Sequence, residues 1–379
     1  MMSGKAGKLR VAVVFGGRSA EHAISCVSAG SVIAALDPEK YDVVPVGIAT
    51  DGRWVLADRD QRLAITDGEL PEVSGGTAVS LVGDPEARGL AVLEPGVAMG
   101  ALTEVDVVFP VLHGAYGEDG TIQGLLELAN LPYVGCGVLA SSCGMDKIVM
   151  KSLFHAAGLP MCRYAWFSRA EWETDGEAVL ERIEREIGYP SFVKPANLGS
   201  SVGVSRAADR DSLTKGIDLA CEYDSRIIVE EGLEMREIEC AILGNSTPEA
   251  SLPGEYVIKD KSKTFLDYEE KYAATGNNEF VVPAPISDEL SNRVREMAVT
   301  AFKAIDGSGL ARVDFFLIEG SGELLINEIN TMPGLTDASG FPKMWAGSGV
   351  AFSEVLDRLI ELAGERHADR GRNRTSLND

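Results

Sequence analysis

Histidine, cysteine and positive charge are all scarce in this chain. It has 379 residues but only four histidines, which are scattered, and six cysteines. Cys26, Cys136, Cys143, Cys162, Cys221 and Cys240 form no C-x-x-C pair. A zinc site is therefore not expected, and a chain of this length needs no disulfide framework. Six thiols in a reducing compartment are the plain expectation. Lys and Arg number 35 against 58 Asp and Glu, a formal net charge of -23. Such a surface repels nucleic acid and anionic membrane, so neither is expected as a partner. A polyanion such as a nucleotide must be met in a local pocket by backbone N–H groups, a few lysines and a divalent cation. Long apolar runs are missing too. VAVVF (11–15), after a basic start, is too short for a signal peptide or a membrane span. A cytoplasmic protein is expected.

The length allows two or three domains, and 45% apolar with 25% charged residues is an ordinary globular balance. LRVAVVFGG (9–17) reads as a buried strand ending at glycines, with a helix to about residue 36 and a second strand at 42–49. That order opens an α/β sheet. Residues 50–100 predict short strands and loops, 105–114 another buried strand, and about 120–130 a helix. A helix at 145–158 ends at Gly158 and Pro160. Strands are expected at YPSFVKPAN (189–197) and GVSR (203–206), then a helix at about 210–222 and strands at RIIVEEG and REIECAILG. The charged stretch 259–278 has no clear period and reads as a lid. Helices are predicted over 287–305 and from 352, followed by a disordered tail, 368–379.

ARVDFFLIEGSGELLINEINTMPG (311–334) carries the most chemistry. Two apolar strands flank Gly-Ser-Gly and predict a β-hairpin. A turn centred on Ser321 sets Asp314 opposite Glu328 and Arg312 opposite Asn330, all on one face. Like charges directly opposite are destabilising, so two carboxylates there call for a cation. Asp314, Glu328 and Asn330 suit Mg²⁺ or Mn²⁺, which also take phosphate oxygens. A solvated polar sheet face is the plain alternative.

KPANLGSSVGVSR (194–206) places its lysine before the glycine-serine loop, unlike a Walker loop. A strand lysine can reach phosphates gathered at the hairpin, while loop N–H groups fold over them. Lys147 is a candidate second lysine; taken alone it reads as a surface residue.

These segments together resemble the ATP-grasp ligases, and closely the D-alanine–D-alanine ligase family. The resemblance is carried by VFGGRSAEHAIS (14–25), LHGAYGEDGTIQGLLEL (112–128), GMDK (144–147), VKPANLGSSVGVS (193–205), VEEGLEMREIE (229–239), DYEEKY (267–272), ARVDFFL (311–317) and NEINTMPGLT (327–336). Eight segments in the right order are far more specific than one glycine-rich loop. The resemblance implies an α/β (α+β) ATP-grasp fold. An N-terminal open parallel α/β sheet domain is expected over 1–143, a central ATP-grasp subdomain over 144–228 and a C-terminal one over 229–367. It implies ATP as substrate, two Mg²⁺ (or Mn²⁺), two D-alanine molecules and a homodimer.

By motif match, Lys147 and Lys194 meet ATP phosphates, helped by Ser200, Ser201 and Lys271. Glu230, Glu231, Leu233 and Glu237 line the adenosine pocket. Asp314, Glu328 and Asn330 match the metal ligands, and Arg312 with the backbone of Gly334 faces the tetrahedral intermediate. Glu21 matches the carboxylate that grips the first D-alanine's ammonium, with Ser200 and Tyr272 as its partners and His113 on the substrate side. Ser339 matches the serine for the second D-alanine's carboxylate. Gly340 departs from the bulkier residue of many relatives, and Tyr272 favours D-alanine over D-lactate. Plain readings stand beside these: a first-turn helix acid for Glu21, a satisfied turn histidine for His113, a small loop residue for Ser200 and a packing aromatic for Tyr272. His22 reads as structural. GGRSAE after the first strand is not the G-x-G-x-x-G of a nicotinamide oxidoreductase. A silent ATP-binding module is countered by Arg312, Asp314, Glu328 and Asn330 standing together. D-serine or D-lactate in place of the second D-alanine stays open.

Overall fold

The computed structural model describes residues 7–58, 61–66, 68–86, 89–93, 101–199, 202–258 and 278–374. Three sheets follow one another along the chain. The first has seven strands: β1 (Leu9–Gly16), β2 (Tyr41–Ile48), β3 (Trp54–Leu56), β4 (Thr77–Leu81), β5 (Gly89–Val92), β6 (Ala101–Glu104) and β7 (Val107–Pro110), in the order β6-β5-β4-β3-β2-β1-β7. Only β2, β1 and β7 run parallel, while β3 to β6 continue the sheet antiparallel. The expected open parallel sheet is thus three strands wide. The short segments of 50–104 return on themselves without crossover helices, and antiparallel pairing is what such connections permit. Helix α1 (His22–Ala35) covers β1, and α2 (Thr121–Leu128) and α3 (Val138–Met145) follow β7.

Helix α4 (Lys147–Ala156) leads to a four-stranded sheet of β8 (Tyr164–Ser168), β9 (Ser191–Pro195), β10 (Ser205–Ala207) and β11 (Arg226–Glu231), ordered β10-β9-β11-β8. Helices α5 (Arg169–Glu186) and α6 (Arg210–Tyr223) close one face of it. Asp146 starts α4 by accepting the N–H groups of Ile148 and Val149, and its other oxygen pairs with Arg226 at the head of β11. That cap places Lys147 on the first turn of α4, facing the second sheet.

The third sheet holds β12 (Met235–Gly244), β13 (Glu249–Ala250), β14 (Gly254–Ile258), β15 (Asn278–Val281), β16 (Gly309–Ile318) and β17 (Leu324–Asn330). Its order is β15-β14-β12-β16-β17, with β13 beside β12. Helix α7 (Asp288–Ala304) packs on it through Val294, Met297, Ala298, Ala301 and Phe302, the face its sequence spacing predicts. Helices α8 (Gly340–Gly347) and α9 (Phe352–Arg370) finish the chain. Val355, Leu356, Leu359 and Ile360 of α9 share one core with Phe15, Val32 and Phe109 of the first sheet and its helix. At roughly 2 kcal/mol per buried side chain, these four suffice to dock the helix.

Helix α9 runs through Arg370, three residues into the stretch expected to be disordered. Contacts explain it. Arg366 stacks on Tyr133 at 4.0 Å and donates to the carbonyls of Tyr133 and Gly135, and Arg370 pairs with Glu127. Nη1 of Arg366 also donates to Ser308 in the third sheet's unit. One helix therefore straps the first sheet's unit to the third. All six cysteines are free thiols, and no helix among the described residues is long and apolar enough to cross a membrane.

Candidate active site

The hairpin β16–β17 forms with Arg312 opposite Asn330 and Asp314 opposite Glu328, the pairing expected from the sequence. Beyond Asp314 the register slips by one, so Phe315 faces Ile326 and Asn327 is left as a bulge. The turn is displaced, and the site end of the hairpin is not. β12 adds a third strand, with Glu239 opposite Asp314 and Ala241 opposite Arg312. Three carboxylates, Glu239, Asp314 and Glu328, thus stand in one row across the sheet. Arg312 lies in the next row and binds Asp314 in bidentate fashion, Nε to Oδ1 and Nη2 to Oδ2 both at 2.7 Å. Its Nε is also 3.4 Å from Glu239 Oε2. Arg312 is thus shared between two of the three carboxylates.

The second sheet faces this row with lysines. Lys194 on β9 donates to Glu230 Oε2 at 2.6 Å, and Lys151 on α4 reaches Glu230 Oε1 at 2.9 Å. Burial opposes ionisation of Glu230, but the two ammonium groups outweigh it and hold the carboxyl well below its usual range. Lys147 donates to the carbonyl of Leu198 at 2.6 Å and so pins the start of the glycine-serine loop. Strand alternation turns Glu231 the other way, onto the N–H and Nε of Arg163, both at 2.7 Å. Its backbone, not its carboxylate, is what it can offer a ligand. Leu233 and Glu237 follow, in the link to β12 and on that strand.

The first sheet supplies the floor. Glu21 stands at the N-cap position, immediately before α1. A Cβ at Gly114 would sit 2.6 Å from Glu21 Oε2, and one at Gly199 would sit 3.5 Å from it. The glycine-serine loop therefore passes directly over Glu21. His113 is buried between the Ser28 hydroxyl, 3.0 Å from Nε2, and the carbonyl of Met332, 3.1 Å from Nδ1. A carbonyl only accepts, so Nδ1 carries the proton and Nε2 accepts from Ser28. Burial pushes the His113 pKa down, against the pull of Glu21 and the Met332 carbonyl, and the ring stays neutral. His22 is structural as expected: Nδ1 bonds the Gly17 carbonyl and Nε2 accepts the Val73 N–H.

Past the hairpin, Gly334 and Ser339 come together, since a Cβ on Gly334 would lie 2.6 Å from Ser339 Oγ. That hydroxyl is 2.8 Å from Thr336 Oγ1 and precedes the first turn of α8. Gly340 has no room for a side chain: Glu239 Oε2 and the Phe280 ring occupy the space that a Cβ would need. Ser200, Ser201, Lys271 and Tyr272, with residues 259–277 of the expected 259–278 lid, lie outside the described residues, and Asn278 begins β15.

Comparison with known proteins decides the family. The model for the D-ala D-ala ligase N-terminus matches residues 10–136, and the model for the C-terminus matches 153–361. The chain belongs to the D-alanine–D-alanine ligase family. It is 45% identical to the D-alanine–D-alanine ligase of Natranaerobius thermophilus over 98% of this chain and 99% of that one. The Kineococcus radiotolerans ligase is 49% identical over 95% of this chain and 97% of its own. Among solved structures, the Coxiella burnetii D-alanine–D-alanine ligase superposes with a TM-score of 0.81 at 35% identity, covering 97% of each chain. The D-Ala:D-Ser ligase VanG of Enterococcus faecalis gives 0.80 at 36% identity, covering 94% of this chain and all of its own. The fold is the ATP-grasp fold.

Two buried groups of this ligase-family site are not singled out by the sequence. Glu118, 7% exposed, accepts the Gly114 N–H at 2.7 Å. Burial, and then Glu21, push its pKa up to about 8, against the Gly114 N–H, Lys147 and Arg312. Lys151 is fully buried. Among the described residues no three His, Cys, Asp or Glu side chains converge as a closed metal cage. The hairpin face instead sets Asp314 beside Glu328, with Asn330 one row on, and Arg312 is the resting partner of Asp314. Such a set fits a hard divalent ion that takes its remaining oxygens from a substrate.

Proposed function

We propose that the protein is an ATP-dependent D-alanine–D-alanine ligase that makes the dipeptide through an acyl phosphate, for peptidoglycan precursor synthesis. The observation that carries this reading is the facing of two charged sets. The Glu239–Asp314–Glu328 row with Arg312 stands on one sheet, and Lys147, Lys194 and Glu230 stand on and beside the next. A carboxylate is a poor acyl donor, and phosphorylation makes it a good one. The transfer needs charge neutralised more than it needs a nucleophilic side chain. Asp314, Glu328 and Asn330 would hold the Mg²⁺ or Mn²⁺ ions, which neutralise phosphoryl oxygens when bound. Lys147 and Lys194 supply cations to the phosphates, while Glu230, Glu237 and the backbone from Glu231 to Leu233 take the adenosine.

Glu21 receives the first D-alanine's ammonium, and neutral His113 fixes the Met332 carbonyl beside it without adding charge. Carboxylate oxygen of that D-alanine attacks the γ-phosphorus and ADP leaves. The second D-alanine is held at its carboxylate by Ser339 and the N–H of Gly340. Its amine, after losing a proton, attacks the acyl carbon and phosphate departs. Arg312 and the Gly334 backbone stabilise the oxyanion between those two events. Ser200, Ser201, Lys271 and Tyr272 would close the loop and lid over the intermediate and exclude water. We read 1–143, 144–228 and 229–367 as the three working units, in a cytoplasmic homodimer.

The test is phosphate release from ATP with Mg²⁺ and D-alanine, L-alanine, D-serine or D-lactate, with products identified by mass. Phosphate and D-alanyl-D-alanine from D-alanine alone are expected. A mixed product that outcompetes the D-alanine dipeptide moves the second subsite, and no turnover with any of them overturns the reading.

A further inference from the structure

Lys151 has no place in the chemistry above, yet it is the most deeply buried cation of the cleft wall. It sits one turn into α4, fully buried. Its ammonium lies 2.9 Å from Glu230 Oε1, 3.5 Å from the carbonyl of Asn327, 3.8 Å from Cys162 Sγ and 5.6 Å above the Tyr164 ring. Asn327 is the bulge residue that precedes Glu328. Burying an ammonium is costly, and a methionine would fill such a position at less cost. Neutrality does not demand Lys151 either, because Lys194 already pairs with the other oxygen of Glu230 at 2.6 Å. The triad carries one positive charge more than Glu230 requires.

That surplus has a use if Lys194 must serve two partners. A lysine that is the sole counter-ion of a buried carboxylate cannot turn to a phosphate without leaving that carboxylate unpaired. We propose that Lys151 is a positioning residue of the nucleotide site: it is the standing counter-ion of Glu230, and it thereby frees Lys194 to engage the nucleotide's phosphates. The inference rests on reading the cleft as a nucleotide site. The Asn327 contact makes the same ammonium a brace between the Glu230 strand and the bulge that sets Glu328.

The experiment is a double-mutant cycle on the full chain with K151M, E230Q and K151M/E230Q. Mg²⁺·ATP affinity is measured by calorimetry, with KM for ATP and for D-alanine measured separately. K151M is expected to weaken ATP binding at least tenfold and to leave the D-alanine KM within twofold, because Lys194 is then confined to Glu230. In the E230Q background, the same replacement is expected to change ATP affinity less than twofold, since the carboxylate that directly pairs with Lys194 is gone. A merely structural Lys151 would lower stability and active fraction but leave both KM values alone, and that result overturns the proposal. An equal tenfold loss in both backgrounds overturns the route through Glu230. If K151M does not fold, K151Q takes its place in the same cycle, with the same outcomes expected in both backgrounds. Wild-type protein that binds ATP but makes no dipeptide would defeat the ligase reading and leave this cycle readable. Wild-type protein that does not bind ATP overturns the proposal.

Discussion

Replacing Glu118 by glutamine should raise stability at alkaline pH and change little in acid. The carboxyl is 7% exposed, and burial with the nearby Glu21 charge lifts its pKa from the usual 4.5 to about 8. The folded protein therefore keeps a proton that the unfolded chain releases above pH 4.5. Wherever the unfolded state binds fewer protons, stability falls as pH rises. The stability attached to this proton is complete below 4.5, declines through neutrality and levels off above about 8. At about 1.4 kcal/mol per pH unit the interval from 4.5 to about 8 amounts to on the order of 5 kcal/mol. Glutamine has no proton to lose, and its amide oxygen can still accept the Gly114 N–H. The advantage of E118Q over wild type should thus be near zero at pH 5 and grow to a few kcal/mol by pH 8.5. Paired thermal melts at pH 5, 6, 7, 8 and 8.5 check this, with the midpoint difference widening by several degrees. Parallel curves across that range would show that Glu118 ionises normally and that the buried acid is misassigned.

Other positions give sharper tests of single roles. Asp314→Asn removes a hairpin carboxylate and half of the Arg312 clamp, and should cut Mg²⁺-dependent phosphate release about tenfold or more; unchanged turnover at saturating Mg²⁺ refutes the metal assignment. Gly114→Ala meets a backbone at φ +75° and brings a Cβ within 2.6 Å of Glu21 Oε2. The strain costs about 1–2 kcal/mol, and the displaced Glu21 should raise the KM of the first D-alanine while the ATP KM holds; equal losses in both would mean general damage. Tyr272→Phe should loosen closure of the lid, so that ATP is hydrolysed without dipeptide; the ratio of phosphate to dipeptide measures it, and a ratio of one in both proteins removes the proposed role of the hydroxyl.

The hairpin was legible because its signals are local. Period-2 alternation and Gly-Ser-Gly place Asp314 against Glu328 without knowledge of any other strand. The bulge at Asn327 was not legible, since LLINEIN alternates too weakly to show which residue is skipped. Helix α5 went unread for a related reason. RAEWETDGEAVLERIERE buries only Val179, Leu180 and Ile183 as a core face, and its backbone breaks at Asp175. Helix α3, VLASSCGM, is made of small residues with no clear apolar stripe.

The buried charges were hidden more deeply. In MDKIVMKSLF a lysine at 151 reads as a solvated helix face. What buries it is Glu230 on a strand nearly eighty residues away, together with Tyr164 and the bulge carbonyl. Glu118 in GAYGEDG reads as a turn acid, and its proton is held by burial and then by the charge of Glu21, almost a hundred residues earlier. The strands that carry Lys194 and Arg312 could be read from the sequence because each lies beside its own turn signal. What each side chain is paired with before substrate arrives, Glu230 for one and Asp314 with Glu239 for the other, is a property of facing sheets. Those resting partners are what the site must give up or share when a polyanion enters. A carboxylate row on one sheet and a lysine wall on the other keep the cleft's cations and acids neutralised locally in a protein of net charge -23. On the proposed reading, the energetic step that admits a nucleotide is an exchange of ion-pair partners, and Lys151, Glu230 and Lys194 are the residues proposed to make that exchange without leaving a buried carboxylate alone.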